Sequence, residues 1–120
     1  MAKRETLGQK QRRFAKSMAK LILKAYALGY EVSLGDAFRD PRVFGKYGES
    51  KRTYGSMHSM HKLRLAQDLN LFKNGRYLTS TEAHRPLGEL WMSMGPDHSW
   101  GGFGGRGDGN HYSISHYGRW

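Results

Sequence analysis

The sequence contains no cysteine. A disulfide framework, thiolate metal sites and a cysteine nucleophile are thereby excluded, so any bound metal must rest on histidine and carboxylate side chains. There is no apolar run long enough to span a bilayer either. The most apolar stretch, Ala19 to Tyr30, is interrupted by Lys20 and Lys24. That stretch follows a long charged, helix-like lead and carries no cleavage signature, so no secretory signal peptide is read and synthesis in the cytoplasm is expected.

Acidic residues are scarce, 10 Asp and Glu against 20 Lys and Arg, for a formal net charge of +10. The excess is uneven: residues 1–24 hold eight Lys/Arg against Glu5 alone, a local +7, and the remaining 96 residues carry only +3. A basic helix suits a polyanion such as nucleic acid, anionic lipid, lipopolysaccharide or anionic wall polymer, or is merely a solvated face; charge alone does not choose between them. What is present fits one domain spanning residues 1–120. The chain is 38% hydrophobic and carries 3 Trp, 7 Tyr and 5 Phe, enough for one modest core and unlike a disordered polymer, while 16 glycines point to tight loops.

Thr6 to Leu28 reads as an amphipathic helix. Leu7, Phe14, Met18, Leu21, Ile22, Ala25 and Leu28 recur at three- and four-residue spacing, Thr6 with Gln9 fits a capping box, and Gly29 fits the stop. Tyr30 to Ala37 alternates as a strand. Residues 38–57 are polar, basic and glycine-punctuated, an irregular loop with room for a short helix after Asp40-Pro41. Leu65 to Phe72 reads as a second strand, and Asn74-Gly75 as a hairpin turn returning through Arg76 to Leu78. Thr79 with Glu82 opens a helix to about Met94, although Pro86 moves its true start toward that proline. Residues 95–109 form a glycine-rich loop, and His111 to Tyr117 a last strand. The order of elements predicts an α+β domain with a small antiparallel sheet and flanking helices.

Six histidines are candidates for chemistry, and two segments support them. His61 precedes the second strand and Asp68 lies within it. An Asp among Leu65, Ala66, Leu69 and Leu71 is costly to bury unless it is paired or metal-bound; an ion pair to Arg64 or Arg76 is the plain alternative. In Asp108-Gly109-Asn110-His111 an acid and a histidine stand three apart at the mouth of a strand, where a turn or bulge at Gly109-Asn110 would bring both to one site. His, Asp and His with a free carboxylate nearby is the pattern of catalytic zinc, three protein ligands and a water whose pKa the ion lowers to about 7. Trp91 is expected in the core, and His84, His98 and His116 at the surface or in structural roles. His58 reads as a loop residue near the cleft. Trp100 and Phe103 either wall the cleft or pin their loop, and Arg106-Gly107-Asp108 is read as a chance adhesion tripeptide.

Ser59-x-His61-x6-Asp68 followed by Asp108-x-x-His111 resembles the zinc peptidases of the D-alanyl-D-alanine carboxypeptidase superfamily, nearest in pattern to the phage endolysins that act as L-alanyl-D-glutamate peptidases. Gly35-Asp36-Ala37-Phe38-Arg39, Leu65 to Phe72 and Trp100-Gly101-Gly102-Phe103 fit that branch in order and spacing, covering roughly Val32 to Ile114. The resemblance implies the superfamily's zinc-peptidase fold and one Zn²⁺ held by His61, Asp68 and His111. It implies Asp108 as general base, Arg39 as the arginine that polarises the scissile carbonyl or binds substrate carboxylate, and Ser59 as a substrate contact. The implied substrate is the peptidoglycan stem peptide, cut at L-Ala-D-Glu by a monomer reaching the periplasm after the inner membrane is permeabilised. The alternatives are a D-Ala-D-Ala carboxypeptidase or dipeptidase and, from another class, a basic nucleic-acid-binding protein; no nucleic-acid partner is expected. With no separate wall-binding domain, residues 3–24 are expected to supply affinity for the anionic envelope. Two departures stand out: Arg64 replaces the glycine three residues after the first histidine, and Phe103 replaces the acid of a Trp-Gly-Gly-Asp run.

Overall fold

The computed structural model describes residues 4–35 and 60–118. The first helix, α1 (Leu7–Ala27), begins where its capping box predicts: Gln9 N–H donates to Thr6 Oγ1 at 3.1 Å and Thr6 N–H donates to Gln9 Oε1 at 2.8 Å. It ends in a Schellman closure. Gly29 takes φ +92, Gly29 N–H donates to the Tyr26 carbonyl and Tyr30 N–H to the Ala25 carbonyl. Phe14, Met18, Leu21 and Ala25 are buried and Ile22 packs beside them. Leu7 and Leu28, expected at the two ends of the stripe, are exposed, so the buried seam is shorter than the periodicity implies.

Among the described residues five strands form one antiparallel sheet: β1 (Glu31–Leu34), β2 (Ala66–Lys73), β3 (Arg76–Leu78), β4 (His98–Trp100) and β5 (His111–Ile114). Their order is β1-β2-β5-β4, with β3 paired to the end of β2. β2 is central, pairing β5 through Ala66–Asp68 and β1 through Leu69–Phe72. The β2–β3 hairpin turns on Asn74 and Gly75, both with positive φ (51° and 75°), as an Asn-Gly turn requires.

Successive side chains on a strand alternate between faces, and directly paired residues share one. Leu69, Leu71, Tyr112, Ile114 and Trp100 therefore fall on one face, where they meet α1 in the core. Asp68, Asn70, His111 and Ser113 fall on the other, which is polar. The first strand is shorter than read; Val32 is half-buried and Leu34 exposed.

The second described helix, α2 (Arg85–Ser93), follows a 3₁₀ turn at Glu82–His84 and carries Pro86 in its first turn, where a missing N–H costs nothing. The expected Thr79 capping box is corrected by this geometry: the N-cap residues Thr81 and His84 make no side-chain cap bond, and Ser80 Oγ accepts from Ala83 N–H at 3.1 Å in the turn before them. Gly88 lies flat on Trp100, and a Cβ there would overlap the indole ring. Trp91 is fully buried and its Nε1–H donates to the Ser113 carbonyl at 2.9 Å, tying α2 to β5. The stretch 95–109 is not loop throughout, because His98–Trp100 pairs with β5 as an edge strand. The last strand stops at Ile114 rather than Tyr117.

Candidate metal centre

Asp68 and His111 are direct cross-strand partners on the polar face of β2 and β5, a register that sets their side chains together. His61 reaches the same place from outside the sheet, on a 3₁₀ turn (Met60–Leu63) anchored by buried Met60 and by Leu65 N–H donating to the Met60 carbonyl at 2.9 Å. That turn runs into β2 through Arg64, whose φ of +58 reverses the chain in the left-handed region. One ligand atom from each of His61, Asp68 and His111 lies within 4.8 Å of the others. His61 Nε2 is 3.2 Å from Asp68 Oδ1, and His111 Nδ1 is 3.4 Å from the same oxygen.

The chemistry of this group fits a divalent cation. Asp68 Oδ1 is buried and makes no hydrogen bond among the described residues, although two ring nitrogens face it. Such an orphaned carboxylate oxygen is expensive in a protein interior unless a charge meets it. Burial pushes the Asp68 carboxyl up, but the imidazoles of His111 and His61 outweigh it and hold the group down at about 2, so it is an anion at any ordinary pH. Two imidazoles and one carboxylate are the donors that zinc takes in open, three-ligand sites. The plain alternative for Asp68 gives way: among the described residues its ion-pair partners are these histidines, not Arg64 or Arg76.

Asp108 opens a tight turn into β5, in which His111 N–H donates to the Asp108 carbonyl at 3.1 Å. Gly109 and Asn110 thus form the turn that the spacing required, while the exposed Asp108 carboxylate stays outside the three-residue cluster. Of the residues that hold this turn, sequence reasoning weighed Trp100 and gave Gly101 and Thr81 no role. Gly101 N–H donates to the His111 carbonyl at 2.8 Å and Asp108 N–H to the Gly101 carbonyl at 3.1 Å, and a Cβ on Gly101 would overlap Asp108's carbonyl oxygen. Trp100 is fully buried, with Nε1–H donating to the Gly109 carbonyl at 2.6 Å, while Thr81 Oγ1 accepts from Gly109 N–H at 3.2 Å. Trp100 therefore pins its loop, whereas Phe103 is 59% exposed. On the far edge of β2, Gly35 N–H donates to the Asp68 carbonyl at 2.8 Å. The signal for both glycines was their place in the phrases Gly35-Asp36 and Trp100-Gly101.

Behind His111 the strand is fixed through its neighbour. Tyr112 points to the core face, where its hydroxyl lies 2.8 Å from buried His84 Nδ1. Burial drives His84 down to about 4 and raises the Tyr112 phenol, so the pair is a neutral hydrogen-bonded one. His98 is also buried, its Nε2 2.9 Å from Ser17 Oγ on α1. His84 and His98 are thus structural, and His116 lies 3.1 Å from Lys10 Nζ. Arg39, Ser59 and His58 lie outside the described residues, as does the loop at 38–57. No protein-family model matches the chain, and no curated protein matches it significantly.

Proposed function

We propose that the chain is a zinc-dependent peptidoglycan endopeptidase that hydrolyses the L-Ala-D-Glu bond of the stem peptide, on a variant of the zinc-peptidase fold of the D-alanyl-D-alanine carboxypeptidase type. The observation that carries this reading is the convergence of residues 61, 68 and 111, far apart in sequence, to within 4.8 Å around a buried carboxylate oxygen that has no hydrogen bond among the described residues. They are the three residues that the motif resemblance assigns to the metal.

His61, Asp68 and His111 would hold the ion, which when bound supplies a Lewis acid and lowers the pKa of a coordinated water. Asp108, exposed beside the turn that delivers His111, takes the proton of the attacking water and passes it to the departing D-Glu amine. Arg39 steadies the negative charge that grows on the scissile carbonyl oxygen. Ser59 contacts the substrate, and Arg42, Lys51 and Arg52 help to recruit its carboxylates. With Phe103 in place of an acid, the loop after Trp100 offers the stem peptide an apolar, exposed ring.

The test is digestion of purified cell walls followed by mass spectrometry. Fragments with a new free amine on D-Glu, abolished by a chelator and lowered roughly 10²–10⁴-fold in Asp108→Ala, are expected. Release of D-Ala would assign the carboxypeptidase chemistry instead. Chelator-insensitive, salt-sensitive binding of DNA or RNA without wall hydrolysis would return the chain to the nucleic-acid-binding class.

A further inference from the structure

The basic residues of α1 do two different jobs. Arg13 is taken up by the body of the protein, bonding Glu5 at 2.8 Å and Asp97 at 2.6 Å, and Lys10 Nζ reaches the Ser115 carbonyl and His116 Nδ1 at 3.4 and 3.1 Å. Arg12, Lys16, Lys20 and Lys24 are different. All four are exposed, at strict four-residue spacing, and so form one row that slants across the outer face, with a rise of roughly 18 Å along the axis. No acidic residue lies anywhere between Leu7 and Ala27. Beside the row runs a second exposed one of Ala15, Ala19, Leu23 and Ala27. At its C-terminal end Leu23 is 72% exposed, with Tyr26 at 49% and Leu28 at 51% within the next turn and a half.

An unopposed cationic row on an outer face that ends in exposed Leu and Tyr side chains is the chemistry of a helix lying on an anionic bilayer: the cations meet phosphate headgroups and the apolar end enters the acyl boundary. The inner face of α1 is already spent on the core through Phe14, Met18, Leu21 and Ala25, so the docking is by the outer face of a folded domain. We propose that α1 docks the chain on the surface of an anionic phospholipid membrane through Arg12, Lys16, Lys20, Lys24 and Leu23. Duplex nucleic acid offers the same phosphates but no acyl layer for Leu23, Tyr26 and Leu28. α1 covers the core face of the sheet and the His61–Asp68–His111 group lies on the opposite face, so a docked chain turns that group away from the lipid.

Co-sedimentation of the intact chain with vesicles tests this, and it does not depend on hydrolysis. Binding is expected to vesicles containing phosphatidylglycerol, not to pure phosphatidylcholine, and to fall as salt rises from about 50 to 500 mM. Replacing Arg12, Lys16, Lys20 and Lys24 together by Gln should weaken binding by roughly 600-fold, at about fivefold per cation. Leu23→Ser, at a position that leaves the core untouched, should weaken it severalfold and leave salt dependence in place. Circular dichroism and cooperative thermal unfolding show that the variants are folded. Equal binding to neutral vesicles, full binding by the folded fourfold variant, or displacement from vesicles by duplex DNA at equal phosphate concentration would overturn the proposal. None of these results touches the peptidase reading.

Discussion

Arg64 holds φ +58 directly after the turn that carries His61, a conformation that costs a residue with a Cβ about 1–2 kcal/mol. The resembled motif has glycine here, and the backbone shows why: the chain must reverse in the left-handed region to pass from His61 into β2. Arg64→Gly is therefore expected to stabilise the protein by up to about 1 kcal/mol, after glycine's own entropic cost, as read by urea unfolding. A loss of stability would mean that the Arg64 side chain outweighs its backbone strain. Asp68 was legible as a carboxylate in need of a partner or a metal from its place among leucines, because that signal is local. Its partners were not, since cross-strand register is set by pairing between distant segments. Asp68→Asn keeps the shape and removes the charge; zinc affinity is expected to fall roughly 100-fold or more in a competition titration with a chromophoric chelator. Unchanged affinity would place the ion elsewhere.

At the scale of elements, α1 and the β2–β3 hairpin were readable because their signals are chemical and local: Thr6 with Gln9, Gly29, and Asn74-Gly75. β4 was not. Three residues, His98–Trp100, carry no periodicity, and the surrounding glycines read as loop. Those glycines instead permit close packing, Gly102 against Trp100 and Gly101 against the turn at Asp108, and Gly88 of α2 lies on the same indole. In a free helix Gly88→Ala would gain about 1 kcal/mol. Here the added methyl meets the Trp100 ring, and a net loss of about 1–3 kcal/mol in thermal or urea unfolding is expected. The contact between β5 and the 3₁₀ turn before α2 also brings a pH dependence. His84 falls from an ordinary 6.5 to about 4 when buried. Its contribution is therefore complete above about pH 6.5, declines as pH drops through the interval, and levels off below about 4. With partial shielding the loss should be on the order of 2 kcal/mol, and His84→Gln should flatten most of that slope. His98, also lowered by burial, adds in the same direction.

On the scale of the molecule, two opposed faces organise the protein: an apolar one closed by α1 and α2, and a polar one where β2, β5 and the Met60–Leu63 turn converge. The α+β class followed from the order of elements. The convergence of His61, Asp68 and His111 followed from the motif resemblance, because no local pattern states which distant segments meet. An ion that binds only the folded arrangement must stabilise it. Zinc at about 100 times its dissociation constant should add roughly 2.7 kcal/mol and raise the melting temperature by about 10 °C, reversibly on chelation. Zinc K-edge X-ray absorption of the protein loaded with one equivalent of zinc reads the centre itself. Two imidazole nitrogens at about 2.0–2.1 Å, with the remaining ligands oxygen at about 2.0–2.2 Å, are expected, and one imidazole should be lost in His111→Ala. An imidazole count other than two in the intact chain, or a spectrum unchanged by His111→Ala, would contradict a centre built on His61, Asp68 and His111.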